Sequence, residues 1–165
     1  MMRTCLIVEE DNLTRRCFEL LIQELDVRTL SVSNAVEALT VLERVPGISL
    51  VMTEEFLPGG SGTSLLRAVR YRWPRVARVL ISGALGPDVL VRAINSCGVH
   101  RVLSKGMHAV ALRDEIEGAL NEAWLAANEF HSGRLTTPPH CARDFEQAAD
   151  AAADEWFGMR RAIGA

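Results

Sequence analysis

The sequence predicts an α/β fold in which helices cover both faces of a doubly wound, five-stranded parallel sheet. Two observations predict it. Short apolar runs alternate five times with segments of helical periodicity, and the runs are largely continuous, which is typical of strands buried on both faces. Right-handed crossovers then make the strands parallel. With 165 residues, 48% of them hydrophobic, the chain is long enough for one core of about 120 residues plus an appendage.

The first two strand–helix units carry clear signals. RTCLIV (3–8) ends at three acids and predicts a buried strand, and the helix over 12–25 carries an apolar stripe of Leu13, Cys17, Leu20, Leu21 and Leu25. VRTLSV (27–32) predicts the second strand. The second helix is predicted over 33–45, with Ser33 as its N-cap and inward positions at Ala35, Leu39 and Leu42.

The later units repeat this pattern and complete one domain over 1–130. The remaining strands are predicted at 48–53, 77–83 and 100–104, and the remaining helices at 62–73, 87–96 and 109–130.

The C-terminal part differs from the repeating units. HSGRLTTPPHC (131–141) is rich in turn residues and predicts a linker. The segment 142–165 predicts an extra amphipathic helix, because apolar residues recur every three or four positions at Phe145, Ala149, Ala152, Trp156, Met159 and Ile163. Docking of this helix within the chain or in a dimer, and binding to a separate target, are both open.

The composition argues against several classes of protein. A formal net charge of -3 and a pI near 5.8 give no overall attraction for nucleic acid. The four cysteines lie far apart, without C-x-x-C or zinc spacing, which predicts reduced thiols. No apolar run reaches about 18 residues and the N-terminus lacks a signal-peptide pattern, so we expect a cytoplasmic protein with no membrane segment.

Polar side chains collect where the predicted strands end. In a doubly wound sheet this edge forms the crevice in which ligands bind and chemistry occurs. The residues at these ends are Glu9, Glu10 and Asp11 after the first strand, Glu54 and Glu55 after the third, Ser82 and Gly83 after the fourth, and Ser104 and Lys105 after the fifth. Carboxylates, a hydroxyl and one ammonium can bind a divalent ion and a phosphoryl group.

These segments resemble the receiver domain of bacterial response regulators, the CheY-like family of two-component signalling. The resemblance covers about residues 3–128, and its carriers are LIVEEDN, MTEEFLPGGSG, VLISGA and INSCGVHRVLSKG. It implies the flavodoxin-like strand order 2-1-3-4-5. It also implies a single-domain response-regulator function in a phosphorelay, with no enzymatic role, and a histidine kinase or a downstream signalling protein as partner.

The resemblance places the family's phosphorylation site on named residues. Glu54 stands four residues before Pro58, where the family has its phosphoacceptor aspartate. The family's magnesium ligands would carry over to Glu10, Glu54 and the main-chain carbonyl of Phe56, with Glu9 in the same acidic pocket.

The resemblance also places the contact and switch positions. Ser82 and Lys105 correspond to the residues that contact the phosphoryl group. The family's aromatic switch residue stands three positions before the lysine, and here that position is Val102. A valine has no ring to swing inward, so half of the family's relay is missing.

The acids of this pocket are one methylene longer than the aspartates common in the family. Displacing a reacting oxygen by about 1 Å can cost roughly a hundredfold in rate. Magnesium also requires near-octahedral ligands at about 2.0 to 2.1 Å. We therefore expect a degenerate pseudo-receiver that acts through protein–protein interaction, without phosphorylation, cofactor or catalytic residue. A working receiver phosphorylated at Glu54 with Mg²⁺ is the alternative.

Two interpretations of the Glu54 side chain are open. It can reach Lys105 and mimic part of the phosphorylated arrangement, since two unit charges about 4 Å apart interact by roughly 4 kcal/mol at an effective dielectric near 20, before desolvation. Alternatively, it points into water.

The expected output surface is formed by the fourth helix, the fifth strand and the fifth helix, and a homodimer would use this face or the C-terminal helix. A DNA-associated transcriptional regulator is the second alternative. Residues 132–165 are too few for a helix-turn-helix domain, and the basic segment 67–78 reads as a solvated helix face. We therefore do not expect a nucleic-acid partner.

Overall fold

The continuous apolar runs form a parallel sheet in the computed structural model, which describes residues 3–131 and, from residue 126, only the helix backbone. The strands in chain order are β1 (Thr4–Val8), β2 (Arg28–Val32), β3 (Ile48–Thr53), β4 (Phe56–Leu57), β5 (Gly60–Ser61), β6 (Ala77–Ser82) and β7 (Arg101–Ser104). The five-stranded sheet has the order β2-β1-β3-β6-β7, so the predicted order is confirmed. The sequence did not predict β4 and β5, which form a small antiparallel hairpin after β3.

The five helices predicted within residues 12–130 are present, and their bounds agree within two residues. The helices are α1 (Asn12–Gln23), α2 (Ala35–Arg44), α3 (Gly62–Arg72), α4 (Pro87–Asn95) and α5 (Ala109–His131). The predicted N-cap of α2 was wrong, because Asn34, and not Ser33, caps the helix through a hydrogen bond from Glu37 N–H to its side chain. The Glu37 carboxylate accepts the N–H of Ser33, the residue before the N-cap, at 3.1 Å.

The sheet is buried at its centre and partly exposed at one edge. Every residue of β1 and β6 is buried, whereas β2 lies at the edge and is half exposed. This difference explains the mixed composition of VRTLSV. On one face, α1 and α5 pack against the sheet, and the buried side chains of this core include Ile7, Phe18, Ile22, Leu50, Met52, Val79, Ile81, Leu103, Leu112, Ile116 and Leu120.

The predicted inward stripe of α1 was partly wrong. The helix buries Phe18 and Ile22, with Leu21 and Leu25 packed beside them. Leu13 is 75% exposed and Leu20 is 50% exposed. Both faces of α1 carry apolar residues at helical spacing, so periodicity alone did not determine which face turns inward.

Two arginines hold the C-terminal end of α4. Arg70 of α3 donates to the carbonyls of Asn95 and Ser96, each at 3.0 Å. Buried Arg78 of β6 donates to the carbonyls of Cys97 and Gly98, each at 3.1 Å. These carbonyls lack partners inside the helix, so the guanidinium groups satisfy the helix end.

The basic segment 67–78 is therefore largely used inside the domain. Besides Arg70 and Arg78, Arg72 pairs with Glu43 at 2.8 Å, and its guanidinium lies 4.5 Å from the centre of the Trp73 ring. Arg72 is exposed, as the predicted solvated face requires, whereas Arg78 is buried. The contacts of these arginines engage part of the positive charge that would otherwise attract a nucleic acid.

The compact unit that contains the sheet ends at Asn128. The predicted linker 131–141, apart from its first residue, and the predicted helix 142–165 lie outside the described residues, so the domain bounds stay a prediction. In the described part of the chain, no helix is both long and apolar enough to cross a membrane.

We expect a Gly62→Ala substitution to destabilise the fold. A Cβ at this position would lie 2.1 Å from the Glu54 carbonyl oxygen, because the chain folds back to let Gly62 N–H donate to the Glu55 carbonyl. The free energy of unfolding should fall by about 2 kcal/mol in urea titrations. Gly83→Ala is the control, since nothing lies within 4 Å of its added Cβ. Equal stability of the two variants would contradict this account.

His100 should make stability depend on pH. Burial, with a smaller contribution from the positive charge of Arg78, lowers the pKa of His100 to about 4, while Nδ1 accepts the Arg78 N–H. The unfolded chain, with a histidine pKa of about 6.5, binds the proton more readily. Stability should therefore be full above about pH 7 and decline as the pH falls toward 4.

The measurement is urea unfolding at about pH 7.5 and pH 5, with His100→Asn as the matched variant. Asparagine keeps an acceptor for the Arg78 N–H but does not titrate. Its loss of stability between the two pH values should be clearly smaller than that of the wild type. Identical losses would show that His100 is not the group responsible.

Candidate functional site

The carboxyl ends of β1, β3, β6 and β7 border one open cleft of about 830 Å³. Its lining comprises Glu9, Glu10, Asp11, Asn12, Glu54, Phe56, Ser82, Gly83, Ala84 and Lys105. The polar residues that the sequence placed at separate strand ends, other than Glu55 and Ser104, are therefore brought together.

The sheet ladder fixes the backbone positions of the three central side chains. Glu9 N–H donates to the Val32 carbonyl and Glu54 N–H to the Val8 carbonyl, each at 3.1 Å. Lys105 N–H donates to the Ser82 carbonyl at 3.0 Å. Each residue thus extends the hydrogen-bond pattern just past the end of its strand, which places the side chain at the mouth of the sheet.

The Lys105 ammonium lies between two buried carboxylates. Its Nζ is 2.6 Å from Glu9 Oε2 and 2.6 Å from Glu54 Oε2. Of the two interpretations left open for Glu54, the structure has the contact with Lys105, and the side chain, only 7% exposed, does not point into water. The additional contact with Glu9 was not predicted.

Main-chain donors hold the other two carboxylate oxygens. Glu9 Oε1 accepts the Asp11 N–H at 3.1 Å, and Glu54 Oε1 accepts the Glu55 N–H at 2.7 Å. Glu9 Oε2 receives no aligned hydrogen bond from the described residues, so the ammonium is its main electrostatic partner.

The carboxylates keep Lys105 protonated. Partial burial works against its charge, but the contacts with Glu54 and Glu9 outweigh that effect and raise its pKa above the ordinary lysine value. The cleft therefore contains a permanent cation that belongs to the protein.

The neighbouring Glu55 has a different role from Glu54. Its side chain is only 3% exposed and turns toward α3, where its oxygens accept the Thr63 N–H at 2.8 Å and the Thr63 hydroxyl at 3.0 Å. One oxygen also lies 3.9 Å from the Arg92 guanidinium of α4. Sequence reasoning missed this role, although an acid near a helix start could have indicated it.

The other predicted positions are divided between the cleft and its surroundings. Ser82 is buried at the cleft, and its hydroxyl donates weakly to the Ala84 carbonyl at 3.4 Å. Glu10 and the side chain of Phe56 are exposed at the rim. Val102 lies on β7 beside Leu80 of β6 and does not line the cleft.

The carboxylates do not fit a magnesium ion in this arrangement. Within residues 3–131, no group of three or more histidine, cysteine, aspartate or glutamate side chains is placed to share a metal. Glu9 and Glu54 each direct one oxygen to a backbone N–H and the other to an ammonium. Magnesium would need about six oxygen ligands at about 2.0 to 2.1 Å, which this pair cannot begin to supply while the ammonium lies between them.

Comparison with known proteins supports the interpretation of the fold. Residues 5–117 match the family model of the response regulator receiver domain. The signal receiver domain of an HD domain-containing protein from Pseudomonas fluorescens superposes with a TM-score of 0.73 at 23% identity, covering 77% of this chain and 93% of that one. A CheY-like receiver domain from Methanospirillum hungatei gives 0.72 at 20% identity, covering 76% and 99%.

Among sequence relatives, the hydrogenase transcriptional regulatory protein HoxA of Cupriavidus necator is 27% identical over 151 residues, which are 90% of this chain and 31% of HoxA. The response regulator protein PilR of Pseudomonas aeruginosa is 29% identical over 115 residues, which are 70% of this chain and 25% of PilR. The chain thus spans about a third or less of these relatives. Together, the strand order, the cleft at the strand ends and the family match over residues 5–117 show that this chain belongs to the response regulator receiver domain family of two-component signalling.

Proposed function

We propose that this chain is a pseudo-receiver that signals through protein–protein interaction without being phosphorylated. The observation that carries the proposal is the state of the Glu54 carboxylate. Its Oε2 contacts the Lys105 ammonium at 2.6 Å and its Oε1 accepts the Glu55 N–H at 2.7 Å.

Such a carboxylate is a poor acceptor of a phosphoryl group. The attacking oxygen must approach phosphorus in line, with a lone pair directed at it. Here both oxygens are engaged, and the side chain is nearly buried. Lys105, the position that contacts the phosphoryl group in the family, is held by the same ion pairs and is not available to an incoming phosphate.

The same contacts support a fixed conformation. The Lys105 ammonium already lies between the carboxylates that follow β1 and β3. It therefore occupies the place that a bound cation would take. Because Val102 has no aromatic ring to relocate, the ring movement that the family uses as a relay is missing here. The domain would therefore present one surface continuously.

The surface proposed for partner binding is the α4 face, defined here by Val91, Ile94 and Val110. Ile94 is 62% exposed and Val91 57% exposed. Beside it, Arg101 of β7 pairs with Glu115 and Glu122 of α5 at 2.6 Å each, so these charges are satisfied within the domain. The partner proposed for this face is a histidine kinase, a downstream signalling protein or a second copy of the chain.

A role in transcription is the second candidate, and the relative HoxA favours it, since it is named a transcriptional regulatory protein. The similarity covers 90% of this chain and therefore extends beyond residue 131 wherever it starts. The domain itself offers little to DNA, because the arginines of segment 67–78 described above are used internally. A transcriptional role would therefore act through a protein contact.

We expect no phosphorylation by small-molecule donors. After incubation with acetyl phosphate and Mg²⁺, neither the wild type nor Glu54→Gln should gain the mass of a phosphoryl group in intact-mass spectra, because neither contains an accessible nucleophilic oxygen at residue 54. A receiver of known activity, treated in parallel, shows that the donor works. A phosphorylated wild type beside an unmodified Glu54→Gln variant would overturn the proposal and favour a working receiver.

Substitutions on the α4 face should abolish partner binding. Ile94→Asp introduces a charge into an exposed apolar position, so the fold should persist by circular dichroism while recovery of the native partner from cells, or self-association in sedimentation, falls by about tenfold or more.

The matched control is Leu20→Asp, which places the same charge on an exposed leucine of α1, outside the α4 face. This variant should bind like the wild type. Equal binding by both variants would exclude the α4 face, and selective loss with Leu20→Asp would move the interface to α1.

A further inference from the structure

We infer that the cleft is a site for a primary ammonium ion, and that the chain fills it with its own Lys105 in place of a metal. The bridging ammonium would then be a structural clamp that holds three strand ends together. This inference deepens the proposed function and rests on it, since a cleft that takes up magnesium for phosphorylation would have to expel Lys105.

The number and spacing of the oxygen ligands favour an ammonium over a metal ion. Each carboxylate offers one oxygen, Glu9 Oε2 and Glu54 Oε2, and both lie 2.6 Å from Nζ. That spacing suits charge-assisted contacts with an –NH₃⁺ group, which carries three donors. The second oxygen of each carboxylate is held by a backbone N–H, so the pair cannot also build a shell of six oxygen ligands.

The negative charges of Glu9 and Glu54 require a cation between the two carboxylates. Glu9 and Glu54 are both nearly buried and share one ammonium, so without it two carboxylates would face each other in a poorly solvated site. Like charges at such a distance raise the energy of the ionised pair strongly. The nearest other acids lining the cleft, Glu10 and Asp11, are exposed and add to the negative potential.

The position of Lys105 in the sheet gives the cation a mechanical role. Strand β6 lies between β3 and β7, so the Lys105 side chain must reach from the end of β7 across the end of β6 to contact Glu54 at the end of β3 and Glu9 at the end of β1. One side chain thereby links three strands, two of which are not its neighbours. Hydrogen bonds of the sheet connect only adjacent strands, so this link is not duplicated by the ladder.

The test removes the ammonium and supplies it again from solution. Lys105→Ala, in the full chain and without any phosphate donor or partner, should lower the melting temperature by about 10 °C. Methylammonium or ethylammonium at tens of millimolar should restore a large part of this loss, whereas NaCl of equal ionic strength should not. Lys105→Met should be destabilised but not rescued, because its side chain fills the space that the amine needs.

Two further variants make the outcome specific. Glu54→Gln in the Lys105→Met background removes one of the two facing charges and should recover stability without any amine; this pair also keeps the test valid if Lys105→Ala does not fold. Arg113→Ala breaks a surface ion pair with Glu24, of 2.8 Å, and should change little and show no amine effect.

Three results would overturn the clamp: no destabilisation of Lys105→Ala, no difference between amine and NaCl, or rescue by Mg²⁺ that equals or exceeds rescue by the amine. The last would identify a metal site that Lys105 covers. These measurements involve no phosphorylation, so a failed clamp beside an unmodified wild type in acetyl phosphate would leave the proposed function standing. Conversely, amine rescue of Lys105→Ala together with a phosphorylated wild type would support the clamp and overturn the proposed function.

Discussion

The structure of the cleft depends on one ammonium placed between two buried carboxylates. The backbones that carry Glu9, Glu54 and Lys105 are fixed by hydrogen bonds that continue the sheet ladder past the strand ends. The lengths of these side chains therefore determine which contacts form at this edge of the sheet. A glutamate at position 54 reaches far enough for direct contact with Lys105, and its second oxygen is close enough to its neighbour's N–H to be held there. With a glutamate at position 54, both carboxylate oxygens are engaged, one by the Lys105 ammonium and one by the Glu55 N–H.

The adjacent residues Glu54 and Glu55 point in opposite directions, and the turn that follows them explains this difference. Successive residues at a strand end point to opposite sides. Glu54 turns into the cleft, whereas Glu55 turns toward the start of α3 and satisfies the N–H of Thr63. Because Gly62 has no Cβ, the chain folds closely over the Glu54 carbonyl and brings that N–H within reach. The negative charge of Glu55 also lies where a helix N-terminus favours an anion. One glutamate is thus part of the cleft, and the other is part of the scaffold that positions it.

The strands, the helices and the strand order could be predicted because continuous apolar runs, helical periodicity and the receiver resemblance all indicate the same architecture. The inward face of α1 could not be predicted, since Leu13 and Leu20 satisfy the helical period as well as Phe18 and Ile22 do. Only packing in the core formed by the sheet, α1 and α5 selects between them. The convergence of acids and lysine was predictable from the strand ends. The sequence could not predict whether Glu54 contacts Lys105 or water. The outcome depends on distances of about 1 Å and on a second carboxylate, Glu9, that competes for the same ammonium.

The proposed function requires that the α4 face does not depend on a change at the cleft. Helix α4 buries only Ala93, and its C-terminal end is held by Arg70 and Arg78 through four successive carbonyls. Its outer side, which includes Ile94, is therefore presented in one orientation by contacts that do not involve the cleft. In a phosphorylation switch, energy from the acceptor site would have to shift such a helix between two positions. Under the proposed function, the ion pair between Glu54 and Lys105 takes the place of phosphorylation at residue 54. The α4 face would then be available whenever the protein is present, and the amount of the protein and of its partner would control the signal.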